Sequence, residues 1–156
     1  MHGIPDHQHI QVAVIPFRVR QGQQEILLVT ARKKQHWTLP KGDYNDDLSM
    51  QEIAKIKAFQ EAGIKGNVSE SCIGVYQYLK NATPYRVYVF VMEVHGILDQ
   101  AYQKKRRRKW LPLHQAIGEI KQRDLRLMIR HLPEFLIEAE LKELIGHLPI
   151  FTRFKS

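Results

Sequence analysis

The side chains best suited to chemistry lie between Lys41 and Glu61, and three of them share one helical turn. Lys57, Gln60 and Glu61 are spaced as i, i+3 and i+4, so a helix projects them from one face. Together they offer an ammonium, an amide and a single carboxylate. An ammonium binds phosphate oxygens well, whereas one carboxylate is a weak ligand set for a hard divalent cation. The spacing therefore predicts an anion site more readily than a metal site.

A second concentration of charge is the basic run "KKRRRK", Lys104–Lys109, which contains Arg106, Arg107 and Arg108. The whole chain has a formal net charge of +8. Basic proteins attract polyanions such as nucleic acid, nucleotides or polyphosphorylated small molecules. Adjacent cations repel one another, however, so the run taken alone is more typical of a solvated turn between strands.

The elements that position these residues are predicted from caps, turns and hydrophobic periodicity. Ser49 and Glu52 form a capping box that begins a helix, and Gly63 ends it after Ala62. The face that this helix buries is predicted to comprise Met50, Ile53, Ile56 and Phe59. Strands are predicted at His9–Val19, Gln24–Arg32, Ser71–Leu79 and Pro84–Val94, with a short extended segment at Trp110–Leu113.

The last part of the chain is helical in pattern. One helix follows His114, Pro133 interrupts the pattern, and a last helix is predicted over Phe135–Ile145. The order of strands, helix, strands and helices predicts a mixed α/β domain over residues 1–132, with residues 133–156 as a helical extension packed on it. The single cysteine, Cys72, and the lack of signal-like or membrane-spanning segments lead us to expect a cytoplasmic protein.

The segment Gly42–Ile64 resembles the signature of the Nudix hydrolases, G-x5-E-x7-R-E-U-x-E-E-x-G-U, where U is a bulky apolar residue. The frame fits without a gap. The preceding "WTLPKG" is typical of members that cleave dinucleoside polyphosphates or diphosphoinositol phosphates. Downstream, "KWLPLHQAIGEI" resembles the strand and helix that follow the family's last large strand. The resemblance implies a Nudix-like α/β/α sandwich with a mixed β-sheet and a helical C-terminal extension.

The resemblance also implies a metal site, of which little remains in this sequence. In the family the signature glutamates hold Mg²⁺ or Mn²⁺, which activate water for attack on phosphorus. Leu48 replaces the first glutamate, Lys57 and Gln60 replace two more, and Glu61 alone is retained. The Lys57 ammonium repels a cation about 4 Å away by about 4 kcal/mol per unit charge at an effective dielectric constant of about 20. We therefore expect weak metal binding or none, with Asp47 as a displaced ligand beside the lost glutamate position.

Two exchanges predict a helix adapted to function without metal. Leu48 and Ile56 occupy the first glutamate and the arginine positions, which the resemblance pairs as charged neighbours. Replacing a buried ion pair by packed hydrophobic residues is often neutral or stabilising. In addition, Lys57 is predicted to pair with Glu61, its ammonium taking the place of the metal and contributing a few tenths of a kcal/mol.

The resemblance assigns phosphate contacts as well. Lys41 and Gly42 lie in the "PKG" turn where relatives position phosphates, Lys41 as a ligand or a plain surface lysine and Gly42 for its backbone. Relatives carry acidic residues before Trp110, where this chain has its basic run. We therefore predict that Arg106, Arg107 and Arg108 line the same cleft as the signature helix and bind an anion directly.

Three functions remain open from the sequence. The first is a degenerate Nudix domain that binds a phosphorylated ligand or a protein partner with little or no turnover. The second is an active Mg²⁺- or Mn²⁺-dependent pyrophosphohydrolase that uses Glu61 with displaced carboxylates, of which the candidates are Asp46, Asp47, Glu52 and Glu93. The third is a nucleic-acid-binding module that acts through the basic run.

Overall fold

The computed structural model describes residues 9–31, 36–99 and 106–146. Its centre is a mixed eight-stranded sheet, in which the main strand order is β3-β2-β1-β7-β5. The strands are β1 His9–Arg20, β2 Gln23–Thr30, β3 Trp37–Thr38, β4 Lys41–Asp43, β5 Ile64–Val68, β6 Gly74–Lys80, β7 Thr83–Ile97 and β8 Arg108–Pro112. The helices are α1 Met50–Ala62, α2 Leu113–Glu119 and α3 Arg123–Gly146. The predicted mixed α/β arrangement with a C-terminal helix is confirmed.

Strands β1 and β7 run parallel at the centre of the sheet. Strands β2 and β4 pair antiparallel with β1, and β5 and β6 pair antiparallel with β7. Strand β8 pairs antiparallel with β2. Alternate residues of β1 face opposite sides. Val12 and Val14 join a buried cluster under α1, whereas Ala13 and Ile15 join a second cluster under α2 and α3. A strand covered on both faces buries every side chain, which explains the unbroken apolar run of β1.

Helix α1 begins and ends as the sequence predicts. The Ser49 side chain accepts a hydrogen bond from the Glu52 N–H, and the Glu52 carboxylate accepts one from the Ser49 N–H. At the other end, Gly63 adopts a left-handed conformation with φ of 65° and donates to the Phe59 carbonyl. Both signals are local in sequence, so they determine the ends of the helix whatever lies around it.

The face that α1 buries differs from the prediction. The buried apolar residues are Ile53, Ala54, Ala58 and Ala62, whereas Ile56 is 39% exposed. A spacing of three residues drifts around a helix of 3.6 residues per turn, while the row at 54, 58 and 62 keeps the sheet-facing direction. The prediction of a buried Leu48–Ile56 pair is therefore wrong for Ile56, although Leu48 does pack at the edge of the α1 cluster.

Helix α3 is also longer than predicted. It continues through Pro133 without a break, where the sequence predicted an interruption and a separate last helix. Leu125, Met128, Ile129 and Leu132 anchor its first half in the core, and Phe135 and Leu136 pack against the same cluster. This apolar anchoring on both sides of Pro133 outweighs the loss of one backbone hydrogen bond. The division of the chain at residue 132 stays a prediction.

Candidate functional site

Glu61 lies in the last turn of α1 and is only 5% exposed. One of its carboxylate oxygens, Oε1, accepts a hydrogen bond from the Lys41 backbone N–H at 3.2 Å and lies 3.5 Å from Nη1 of Arg106. Burial raises the pKa of the Glu61 carboxyl above its ordinary value, although Arg106, the Lys41 N–H and Lys57 all act in the opposite direction. The one retained signature glutamate therefore already has a cation and a donor of its own.

Arg106 reaches this position from the segment that enters β8. Its guanidinium also donates from Nη1 to the Thr30 carbonyl at 3.0 Å, at the end of β2. Next to it, the Arg107 N–H donates to the Thr30 hydroxyl oxygen at 2.9 Å, and the Thr30 N–H donates to the Arg107 carbonyl at 3.0 Å. These backbone and side-chain bonds hold Arg106 against α1.

The predicted Lys57–Glu61 ion pair is therefore corrected. Within the described part of the chain, no ion pair within 4 Å joins these two residues, and the cation paired with Glu61 is Arg106. Lys57 instead donates from Nζ to the Gln60 side-chain carbonyl at 3.3 Å. The carboxylate points toward β4 and β8, so a partner from another element reaches it more closely than the lysine one turn back on the same helix.

Lys57 nevertheless stays in the cleft rather than extending into solvent. Its aliphatic carbons lie across Gly42, where an added β-carbon would overlap them. An added β-carbon at position 42 would displace the Lys57 side chain, so glycine here lets this lysine lie close against the "PKG" turn. Lys57, Gln60 and Glu61 project together next to this turn, as the helical spacing predicts.

The basic run divides between two environments. Arg108 donates from Nη1 to the Ala62 carbonyl at 2.6 Å, which caps the C-terminal end of α1, and from Nη2 to the Leu98 carbonyl. Arg107 and Lys109 instead lie over the Trp37 ring, at 5.4 and 4.2 Å from its centroid. Of the predicted cleft arginines, Arg106 and Arg108 thus lie beside α1, whereas Arg107 contacts Trp37. Outside the described residues lie Lys104 and Lys105, and also a second, smaller basic group formed by Arg32, Lys33 and Lys34.

Lys41 directs its ammonium away from α1. In the register of β1 and β4, Lys41 pairs with Ala13, whereas Gly42 pairs with Val12. Ala13 belongs to the cluster under α2 and α3, so the Lys41 side chain faces the side of the sheet opposite α1. The Lys41 Nζ donates to the Tyr78 hydroxyl at 3.3 Å, and that hydroxyl donates to the Gln11 side-chain carbonyl at 2.6 Å. Burial lowers the pKa of Lys41, which Glu61 partly offsets. Lys41 therefore contacts Glu61 through its backbone N–H, while its ammonium acts on the carboxylate only through space.

The remaining carboxylates do not converge on Glu61 to form a metal site. Glu52 is held in the capping box, Glu93 is exposed near His95, and Asp46 and Asp47 lie exposed in the loop before α1. Across residues 9–31, 36–99 and 106–146, no group of three or more His, Cys, Asp or Glu side chains is placed to hold a metal ion. An ammonium, an amide and a carboxylate already paired with arginine do not fit Mg²⁺ or Mn²⁺.

A cavity of about 420 Å³ lies on the β5 side of α1, and the sequence did not predict it. Its apolar lining includes Ile56, Phe59, Ile64 and Met92, with Lys55 and Lys65 at its edge. The exposed isoleucine at the signature arginine position opens onto this cavity. The cavity was not predicted because Ile56 was assigned to the buried face of α1, whereas it is 39% exposed.

The sequence also missed the partners of Glu61 and of the α1 C-terminus. Arg106 and Arg108 were predicted to bind a ligand, but their described contacts are within the domain. Nothing local identifies Thr30, Ala62 or Leu98 as their acceptors, because each contact joins two different segments of the chain.

No helix within the described ranges combines the length and apolar character of a membrane span.

Comparison with known proteins places these features in a family. The family described as NUDIX domain matches residues 7–132. Nudix hydrolase 12, mitochondrial, of Arabidopsis thaliana is 30% identical over an alignment of 121 residues that covers 72% of this chain and 58% of that protein. Diphosphoinositol polyphosphate phosphohydrolase 3-alpha of Mus musculus is 26% identical over an alignment of 110 residues that covers 69% of this chain and 66% of that protein. The chain thus spans less than two thirds of the length of each of these relatives.

The solved structures agree on the fold. The crystal structure of a C. elegans Ap4A hydrolase binary complex superposes with a TM-score of 0.70 at 21% identity, covering 83% of this chain and 98% of that one. The NUDIX domain of Shewanella oneidensis NrtR, in complex with ADP ribose, superposes with a TM-score of 0.61 at 16% identity, covering 83% and 88%. The chain belongs to the Nudix family.

Proposed function

We propose that this Nudix domain binds a phosphorylated small molecule, a nucleotide or an inositol phosphate, through its own side chains, with metal-dependent hydrolysis lost or weak. The observation that carries the proposal is the environment of Glu61. The one signature glutamate left is buried and accepts from Lys41 N–H with Arg106 at 3.5 Å. A carboxylate neutralised in this way offers little to a divalent cation.

The chemistry of the neighbouring groups supports direct anion binding. The Lys57 ammonium can donate to a phosphate oxygen, and the Gln60 amide N–H₂ adds a neutral donor beside it. Lys57 is half-buried against the "PKG" turn, so its position is restricted before a ligand arrives. A restricted donor loses less conformational entropy on binding than a mobile surface lysine does.

The names of the relatives support the ligand class. They include diphosphoinositol polyphosphate phosphohydrolases, an Ap4A hydrolase and a domain complexed with ADP ribose. These ligands share clustered phosphates. A nucleic-acid role has less support, because Arg106 and Arg108 donate to carbonyl groups within the domain instead of forming a continuous exposed surface. The expected cytoplasmic location also stays a prediction.

The direct experiment compares binding and turnover with and without metal. ADP-ribose, diadenosine tetraphosphate and inositol hexakisphosphate would each be tested for a rise in the melting temperature, in chelator and in excess Mg²⁺ or Mn²⁺. We expect at least one to stabilise the protein equally in both conditions, because binding to the folded state alone raises its stability. Efficient release of phosphate or nucleoside monophosphate that requires metal would contradict the proposal, which allows at most weak hydrolysis.

A second experiment tests the loss of metal ligands. The variant Lys57→Glu/Gln60→Glu restores the signature carboxylates, and Arg106→Gln added to it removes the competing cation. We expect Mn²⁺ binding, measured by calorimetry, to be absent in the wild type and to strengthen from the double to the triple variant. The control Lys55→Glu/Gln115→Glu makes the same change in net charge at exposed positions and should bind no Mn²⁺. Stoichiometric Mn²⁺ binding by the wild type would overturn the proposal.

A further inference from the structure

The second half of α3 presents an apolar stripe to solvent. Ile137, Leu141 and Leu144 are 62%, 54% and 66% exposed and are spaced as i, i+4 and i+7. This spacing places them on one face, and at 100° per residue that face points away from the buried row at Leu125, Met128, Ile129 and Leu132. Helix α3 therefore has a second apolar face, which no described residue of its own chain covers.

The charges of α3 are divided between its two halves. Residues 123–132 contain three arginines, Arg123, Arg126 and Arg130, against one aspartate. Residues 133–146 contain four glutamates, Glu134, Glu138, Glu140 and Glu143, against one lysine. A basic first half and an acidic second half make the helix electrostatically complementary to a reversed copy of itself.

We propose that α3 is a dimerisation helix whose apolar stripe is covered by α3 of a second copy of this chain, aligned antiparallel. Antiparallel alignment puts the acidic half of each helix against the basic half of the other, whereas parallel alignment opposes like charges along the whole length. It also makes the contact identical for both copies, as a two-fold axis requires.

The apolar residues fit the same arrangement. Leu127, in the basic half, is 47% exposed and lies at the edge of the stripe, about 40° around the helix from Leu141. Opposing Leu127 to Leu144 of the second helix, and the reverse, closes both ends of the contact with leucine pairs. In that register Arg130 comes opposite Leu141, within one turn of Glu138 and Glu140 of the other copy.

The first test measures self-association by sedimentation equilibrium across the micromolar range. We expect the wild type to form dimers and Leu141→Lys to raise the dimer Kd at least about tenfold, because it removes a central apolar contact and places a cation opposite Arg130 of the other copy. The melting temperature of dilute Leu141→Lys should match that of dilute wild type, because the side chain is exposed in the single chain. Val19→Lys, which replaces an aliphatic side chain 61% exposed on β1, is the matched control and should leave the Kd unchanged.

The second test fixes the orientation. Arg123→Glu/Arg130→Glu makes the first half acidic and should weaken the dimer, and adding Glu138→Arg/Glu140→Arg should restore it. Parallel pairing would leave the Kd of Arg123→Glu/Arg130→Glu equal to that of the wild type, because the first halves would face like charge in both proteins. The proposal is overturned by that result, or by a wild type that stays monomeric throughout. It is equally overturned if Leu141→Lys lowers the melting temperature of the monomer, since the stripe would then be covered within one chain.

Discussion

The two sides of α1 depart from the family pattern to different degrees. The side against the sheet keeps an apolar residue at its signature position, Ala58, although the signature has a bulkier residue there. Ala54, Ala58 and Ala62 are fully buried, and their small side chains let the helix approach β1 closely. The side toward the cleft keeps only Glu61, with Lys57 and Gln60 in place of acids. The comparison shows that the fold and the metal site place separate demands on one helix. Ligands on the open side can be exchanged while the packed side remains.

Glu61 combines both features, because it occupies a position that the family signature assigns to metal binding and yet is buried like the alanines that face the sheet. A carboxylate that is buried in the core needs a partner that compensates its charge. Arg106 and the Lys41 N–H supply that partner. The basic run therefore contributes a structural contact through Arg106.

The largest effect is expected from Arg106→Ala, which tests whether the fold depends on the ion pair between Arg106 and Glu61. Removing one member of a buried ion pair leaves the other unpaired, so we expect the free energy of unfolding at pH 7 to fall by about 3 kcal/mol. Denaturant unfolding would measure it. Arg107→Ala, which removes the exposed neighbouring arginine that lies over Trp37, should cost below about 1 kcal/mol.

The double variant Arg106→Met/Glu61→Leu completes this test. Replacing both charges by apolar side chains of similar size should recover most of the lost stability, because no charge is left buried. If Arg106→Ala and Arg107→Ala cost the same, or if the double variant is less stable than Arg106→Ala, the pairing has no structural role.

A smaller effect is expected from substitutions that compare the two sides of α1 directly. Ala58→Leu forces extra methyl groups between the helix and the sheet, and we expect a loss of about 2 kcal/mol. Lys57→Met keeps the aliphatic stem over Gly42 and removes only the charge, so its effect on stability should stay within about 0.5 kcal/mol. Equal losses in the two variants, measured by denaturant unfolding, would contradict the separation of the two sides.

The parts of this molecule that the sequence predicts are those with local signals. Ser49, Glu52 and Gly63 determine the ends of α1 through contacts within one turn, and the strands appear as β-branched runs between turn residues. The Glu61–Arg106 pair joins segments far apart in the chain, so only the folded sheet brings the two side chains together. Ile56 and Pro133 were misassigned because a periodicity of three drifts around the helix, and because apolar packing on both sides of a proline can hold a helix continuous.

The smallest effect is a difference in pH dependence between two glutamates of α1. Burial raises the pKa of Glu61 above 4.5, so the folded state holds its proton more tightly than the unfolded state does. Its contribution to stability is complete below the unfolded pKa and is lost as pH rises through the folded pKa. The hydrogen bonds from Ser49 lower the pKa of Glu52 below 4.5, so its contribution is present above that value and is lost as pH falls. The two carboxyl groups should therefore give opposite slopes.

Glu61→Gln and Glu52→Gln isolate these slopes. The free energy of unfolding of the wild type minus that of Glu61→Gln should decrease as pH rises from about 4.5 toward neutrality. The corresponding difference for Glu52→Gln should increase with pH over the acidic range and then level off. Denaturant unfolding at a series of pH values measures both, and the wild type supplies the shared reference. A Glu61 difference that increases with pH would mean that the ion pair with Arg106 outweighs burial, and that the carboxylate is better stabilised in the folded domain than in water.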